Sequence, residues 1–267
     1  KVEFISREHK GNLIAYTLSQ GFDVFKLDNG LAKNFNKKLK HSHWLGSTQE
    51  EDALECLSFL NSEPVDWLIV DHYAIDLDWQ KILRESYNKL LVIDDLADRE
   101  HLCDILVDQT YGRIKKDYHG LVGKNCEILC GSEFALLRPE FKKWRKYSLK
   151  RRKSNNLKQI LISFGGVDAK NNTELILEQL QHCKLSEELK IIVVMGFSSI
   201  HLESVRRIAN SLSFDIEIKT TVDNMAEIMA KSDISIGASG ATSWERCCLG
   251  LPSIQIIVSD NQKLIAE

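Results

Sequence analysis

The chain reads as an α/β protein made of two parallel-sheet units. Three observations lead there. Short apolar runs alternate with amphipathic stretches along its whole length, the alternation falls into two separate series, and 267 residues suffice for two domains of ordinary size. A hydrophobic fraction of 43% is that of a globular protein with a real core.

In the first series the expected strands are "VEFI" (2–5), "DVFKL" (23–27), "DWLIV" (66–70), "LLVID" (90–94), "DILVD" (104–108) and "EILCG" (127–131). Between the second and third lies "STQEEDALECLSFLN". There Ser47 and Glu50 fit a capping box, and Ala53, Leu54, Leu57 and Leu60 recur on one helical face. In the second series the expected strands are 159–164, 190–195, 214–219, 233–237 and 253–258, and the expected helices 171–183, 199–211, 223–231 and 240–249. Between the series, eight Lys or Arg and no acid fall within residues 142–153. We read this stretch as a solvated helix end and interdomain linker. The expected organisation is therefore residues 1–141, a basic linker 142–157, and residues 158–267.

The net charge of −3 gives no reason to expect nucleic acid as a partner. No apolar run reaches the roughly 18 residues of a membrane span, and no stable membrane association is expected. Seven cysteines without a CxxC pair fit a reduced, cytoplasmic protein with packed thiols. Cys126 and Cys130 flank one expected strand and would share a face, but without a second ligand pair no metal site is expected. No cofactor is expected either, and the chain is expected to be a monomer.

In open parallel sheets, ligands collect beyond the carboxyl ends of the strands. Two such ends stand out in the second series. "ISFGGVDAKNN" (162–172) ends a strand in Gly165-Gly166 before a helix, where backbone can approach a phosphate and the helix start offers unpaired N–H groups. A plain tight turn explains a glycine pair equally well, and neither GxGxxG nor a P-loop is matched. "SIGASGATSWERCCLGLP" (235–252) runs from strand through Ser239, Gly240, Ala241 and Thr242 into a helix, with Glu245 about one turn in. The small residues leave room for a diphosphate, Ser239 or Thr242 could cap the helix, and the Glu245 carboxylate could accept both hydroxyls of a ribose. A capped helix with a first-turn acid is the alternative.

"IVDHYAID" (69–76), "VIDDLADREHLCDILVDQ" (92–109), "CGSEFALLRPEF" (130–141), "ISFGGVDAKN" (162–171), "GASGATSWERCCLGLP" (237–252) and "VSDNQ" (258–262) together resemble the UDP-sugar hydrolases of pseudaminic acid biosynthesis. The chain is more distantly similar to the UDP-N-acetylglucosamine transferases of peptidoglycan synthesis. The resemblance implies two Rossmann-like domains facing a cleft, a GT-B-like arrangement, and a UDP-sugar substrate cleaved by water at the anomeric carbon without a metal. It implies that Gly165, Gly166 and the loop Ser239–Thr242 hold the diphosphate and Glu245 the ribose. Tyr73 and His72 would work near the reacting sugar, and Asn261 matches another active-site position. Asp94 and Asp95 are read as positioning or loop-capping groups. The family opens with a strand and a GxGH loop whose His activates the water, and no such loop occurs here. The chain is thus expected to be truncated at both ends, to bind UDP and to turn over poorly. The alternatives are a glycosyltransferase on the same fold and a non-catalytic UDP-sugar-binding fragment.

Overall fold

Residues Glu3–Arg7 (β1) and Asp23–Leu27 (β2) pair in parallel across the intervening helix Ile14–Ser19 (α1). The structure is a computed structural model. It describes residues 1–267 except 31–38, 40, 61–62, 154–155, 167, 187, 197–198, 221, 259–261, 263–265 and 267. Asn261 therefore lies outside the described residues. The chain divides into two units, Lys1–Phe134 and Ala135–Glu267.

The first unit continues with Gln49–Phe59 (α2), Val65–Val70 (β3), Leu77–Ile82 (α3), Tyr87–Ile93 (β4), Ile105–Asp108 (β5) and Glu127–Cys130 (β6). Strands β3 to β6 form a four-stranded sheet in chain order with every pair parallel, while β1 and β2 form a separate two-stranded sheet. The two sheets share one core. Leu27, Val70, Leu90 and Val92 pack there with Ala53, Cys56, Trp79 and Leu83.

Helix α2 starts one residue later than the sequence reading. Thr48, not Ser47, is the N-cap. Its hydroxyl accepts from the Glu51 amide at 3.2 Å, and Glu51 accepts from the Thr48 amide at 3.0 Å. Ala53, Leu57 and Leu60 face the core as expected, Asp52 and Cys56 join them, and Leu54 is turned out, 55% exposed. The reason is polar: buried Asp52 accepts from Arg7 Nη2 at 2.6 Å and from Trp79 Nε1 at 2.8 Å. These bonds tie α2 to β1 and α3.

The second unit begins with Pro139–Arg151 (α4), followed by Gln159–Ser163 (β7), Asn172–Leu180 (α5), Lys190–Met195 (β8) and Leu202–Ser211 (α6). Asp215–Thr220 (β9), Met225–Lys231 (α7), Ile234–Ala238 (β10), Thr242–Cys248 (α8) and Ser253–Ile256 (β11) complete it. Its sheet is all parallel in the order β11-β10-β7-β8-β9. Successive strand residues point to opposite faces. Here both faces are buried: Ile160, Ile162, Ile191 and Val193 belong to one core, Leu161, Ile192 and Val194 to the other. That is why these strands read as continuous apolar runs rather than alternating ones.

The basic stretch read as a linker is largely helix α4, packed on the second unit. Phe141 is fully buried beside Leu161, Met229 and Leu249. The Arg152 guanidinium donates to the carbonyls of Ser232 (2.7 Å), Met229 (2.9 Å) and Leu249 (3.1 Å), and Ser148 Oγ donates to Leu249 O at 2.6 Å. Arg145 donates to Cys248 O, and Arg151 pairs with Asp233 at 2.6 Å. Cations at the carboxyl ends of α7 and α8 satisfy orphan carbonyls and oppose the negative ends of the dipoles. Among the described residues, no helix is long and apolar enough to cross a membrane.

The Arg7–Asp52 pair yields a stability prediction. Asp52→Ala leaves the Arg7 guanidinium and the Trp79 N–H buried without their acceptor. It is expected to cost about 3 kcal/mol in urea denaturation, the low end for a broken buried pair because Glu55 also contacts Arg7. A loss below about 1 kcal/mol would contradict this account of the α2 register.

Candidate active site

Gly165 follows the end of β7 with φ of 85°, a left-handed conformation that favours glycine. A Cβ on Gly165 or Gly166 would meet nothing within 4 Å, so packing does not explain the pair and the space beside them is open. The start of α5 differs from the sequence reading. Buried Asp168 accepts from the amides of Asn172 (2.9 Å) and Thr173 (2.9 Å) and from the Thr173 hydroxyl (2.7 Å). These helix-start N–H groups are already taken, so any anion site here belongs to the glycine loop itself.

At the carboxyl end of β10 the loop runs Ser239-Gly240-Ala241 into α8, which has no side-chain cap. Neither expected cap acts as one. Ser239 is fully buried and its hydroxyl has no partner among the described residues. Thr242 Oγ1 instead accepts from Arg246 Nη2 at 3.3 Å. Ala241 is exposed and Gly240 half-buried. The Glu245 side chain is only 18% exposed, and its nearest cation, Arg138 Nη2, lies 3.9 Å away. Arg138 is itself engaged by Glu140 at 3.1 Å and lies over the Phe141 ring. Burial pushes the Glu245 carboxyl upward from its ordinary value, offset in part by Arg138 and Arg246. A carboxylate so placed has both oxygens available to hydroxyl donors.

In the first unit, β3 delivers His72 and Tyr73 at its carboxyl end. The His72 ring accepts the Ala74 amide at Nδ1 (3.1 Å), which places the ring proton on Nε2. Burial lowers its pKa, so the ring is a neutral donor through Nε2. The Tyr73 hydroxyl donates to Asp95 Oδ2 at 2.8 Å. Its ring lies 5.3 Å from that of His41 and 5.7 Å from that of Trp44.

The paired acids after β4 have separate tasks. Asp94 is fully buried: Oδ1 accepts from Arg99 (2.6 Å), and Oδ2 from the Ala97 amide (3.0 Å) and the Tyr118 hydroxyl (2.8 Å). Tyr118 also reaches Asp108 at 2.9 Å, and Asp108 is held by Arg113 Nε at 2.6 Å. Arg113 Nη2 donates to the Asp95 carbonyl at 2.7 Å. This network fixes the backbone from which Asp95 meets Tyr73. Asp108, Arg113 and Tyr118 were not singled out from the sequence, although Asp108 ends a strand just as Asp94 nearly does. The cysteines also sort differently: Cys126 Sγ lies 3.5 Å from Cys103 Sγ, while Cys130 packs beside Leu106 and Tyr118.

Residues 159–265 match the glycosyltransferase family 28 C-terminal domain. The chain is 30% identical over 184 residues to the UDP-2,4-diacetamido-2,4,6-trideoxy-beta-L-altropyranose hydrolase of Campylobacter jejuni, covering 68% of this chain and 63% of that protein. It spans less than two thirds of the length of the curated relatives it matches. Among solved structures it superposes on MurG of Acinetobacter baumannii with a TM-score of 0.55 at 12% identity, covering 99% of this chain and 82% of that one. MnaA of S. aureus, in a co-structure with UDP, gives a TM-score of 0.50 at 11% identity, covering 99% and 86%. At these identities the likeness is one of fold, and the fold is GT-B-like α/β.

The Tyr73–Asp95 pair yields a pH prediction. Burial, with Asp94 and Asp108 nearby, raises the Asp95 carboxyl above its ordinary 3.8. The native state then holds a proton that the unfolded chain has already released. Stability from this group is full below the unfolded value and is lost as pH rises through the folded one. Wild type is therefore expected to lose stability relative to Asp95→Asn as pH rises from about 4 through the raised Asp95 value. Urea titrations across that range check it, and a constant difference would contradict it.

Proposed function

We propose that this chain processes a UDP-linked sugar by hydrolysis. Water attacks the anomeric carbon, the bond from that carbon to the β-phosphate oxygen breaks, the electron pair leaves with UDP, and the attacking water's second proton passes to solvent. Gly165, Gly166 and the loop Ser239–Thr242 hold the diphosphate, and backbone N–H groups stabilise the charge of the leaving group. Glu245 accepts the ribose hydroxyls. The observation that carries the reading is the Glu245 carboxylate: mostly buried, with no cation nearer than 3.9 Å, beside a loop of small residues at a strand's carboxyl end. A carboxylate serving only the helix dipole would do equally well in solvent. The match to the family 28 domain and the likeness to the Campylobacter hydrolase support a nucleotide-sugar substrate of the diacetamido-trideoxy class.

Tyr73 and His72 are assigned to the sugar. Tyr73 presents a hydroxyl oriented by Asp95, and His72 an Nε2–H donor. In this tautomer His72 stabilises charge or orients a hydroxyl rather than accepting the water's proton. The family match also favours a second reading, in which an acceptor hydroxyl replaces water and the sugar is transferred. Release of free sugar in step with UDP, without any acceptor, separates hydrolysis from transfer.

The first test is calorimetric titration of UDP, UMP and NAD into the wild type and Glu245→Ala. UDP is expected to bind more tightly than UMP, NAD not to bind, and the substitution to weaken UDP at least about tenfold, or about 1.4 kcal/mol. Affinity for UDP is also expected to fall as pH drops through the raised Glu245 value, since the ionised carboxylate is the better acceptor. Absence of UDP binding, or equal binding by Glu245→Ala, would overturn the reading.

A further inference from the structure

Arg246 is the largest fully buried side chain of the chain's described residues, 2% exposed. Nη1 donates to the Ala238 carbonyl at 3.1 Å and Nη2 to Thr242 Oγ1 at 3.3 Å, while Nε has no partner. Among the described residues no carboxylate lies within ion-pair distance of it. The other well-buried arginines, Arg7 and Arg99, each hold an aspartate at 2.6 Å. Glu245, its neighbour in sequence, gives it partial electrostatic support that does not offset its burial, and both Arg246 hydrogen bonds go to neutral oxygens. A cation so buried is costly unless further counter-charge arrives from elsewhere.

Its position says where that charge would come from. A Cβ on Gly237 would lie 2.6 Å from Arg246 Nη2 and 2.0 Å from the Ser163 carbonyl oxygen. Gly237 is paired with Ser163 across β10 and β7. The guanidinium thus lies at the carboxyl ends of both strands, at positions two residues before the Ser239–Thr242 loop and two before Gly165. It bonds both ends of that loop, Ala238 and Thr242. Because Thr242 Oγ1 accepts from Arg246, its own proton remains for an acceptor on the other side.

We propose that Arg246 is the positioning and counter-charge residue of an anion site formed by the Ser239–Thr242 loop, whose ligand is a diphosphate. The proposal rests on the nucleotide reading of this loop and adds the residue that neutralises the ligand. Arg246 does not need to touch the phosphates. It braces the loop from behind, directs the Thr242 hydroxyl outward, and supplies the positive charge that a dianion completes.

The test compares UDP, uridine and inorganic pyrophosphate by calorimetry and thermal melts, in wild type, Arg246→Met, Arg246→Gln and Arg246→Lys. In wild type, UDP and pyrophosphate are expected to raise the melting temperature. Arg246→Met and Arg246→Gln are expected to weaken UDP by about 10–100-fold through loss of the buried counter-charge and of the brace on Thr242, with uridine affinity unchanged and the pyrophosphate response lost. Arg246→Lys keeps the charge and is expected to retain most of the pyrophosphate response. If Arg246→Met does not fold, the contrast between Lys and Gln carries the test. Equal UDP affinity in wild type and Arg246→Gln, or equal losses in Lys and Gln, would overturn the role of the charge and leave the nucleotide reading standing. Pyrophosphate binding that depends on Arg246 without any UDP binding would uphold this site and overturn the nucleotide reading. Binding of neither by wild type would overturn both.

Discussion

The second unit depends on how closely backbone approaches at Gly237. Any side chain there would collide with the Ser163 carbonyl oxygen 2.0 Å away and with the Arg246 guanidinium. With glycine in place, β10 stays in register with β7, the arginine fits beneath, and the chain leaves the sheet as a loop of small residues. The inner strands β7 and β8 are buried on both faces along most of their length, so their side chains are most open to solvent where the strands end. The candidate site therefore lies at carboxyl ends, and the small residues are there because the strand ends are crowded.

Much of this was legible in the sequence. Buried parallel strands are nearly continuous apolar runs, and every expected strand overlaps an observed one. What failed were features set by polar contacts between distant segments. The α2 cap moved one residue because Asp52 bonds Arg7 and Trp79, a preference that hydrophobic periodicity does not register. The basic run around Arg152 looked solvated because its purpose is to bond carbonyls at helix ends some 80 to 100 residues away in sequence. The short helices α1 and α3 lack the length over which periodicity becomes informative.

The candidate site divides in the same way. Glycines after strands and an acid one helical turn on are local patterns, and the structure places them at the carboxyl ends of two neighbouring strands, β7 and β10. The partners that give those residues meaning are not local. Asp168 takes the α5 N–H groups that a phosphate would otherwise have used. Arg246 holds Thr242 from within the core. A sequence marks the place of such a site, but the occupied donors and the unmatched charge appear only when the chain is folded.

Tyr73 shows how far such arrangement reaches into chemistry. Alone, a tyrosine hydroxyl both donates and accepts. Bound to Asp95, it donates its hydrogen to a half-buried carboxyl group. Asp95 is in turn fixed through its carbonyl by Arg113, which Asp108 holds, while Tyr118 joins Asp108 to Asp94 and so to Arg99. Burial beside two carboxylates pushes the Tyr118 phenol upward, so it keeps its one hydrogen, which lies between the two carboxyl groups. Three aspartates thus occupy one region without repelling one another apart, because two are matched by arginines and the third is biased toward its protonated form. When Asp95 is ionised, Tyr73 donates to it; when Asp95 is protonated, that proton can bond the phenol oxygen instead. The direction of hydrogen bonding at Tyr73 is thus set by the neighbouring carboxyl group.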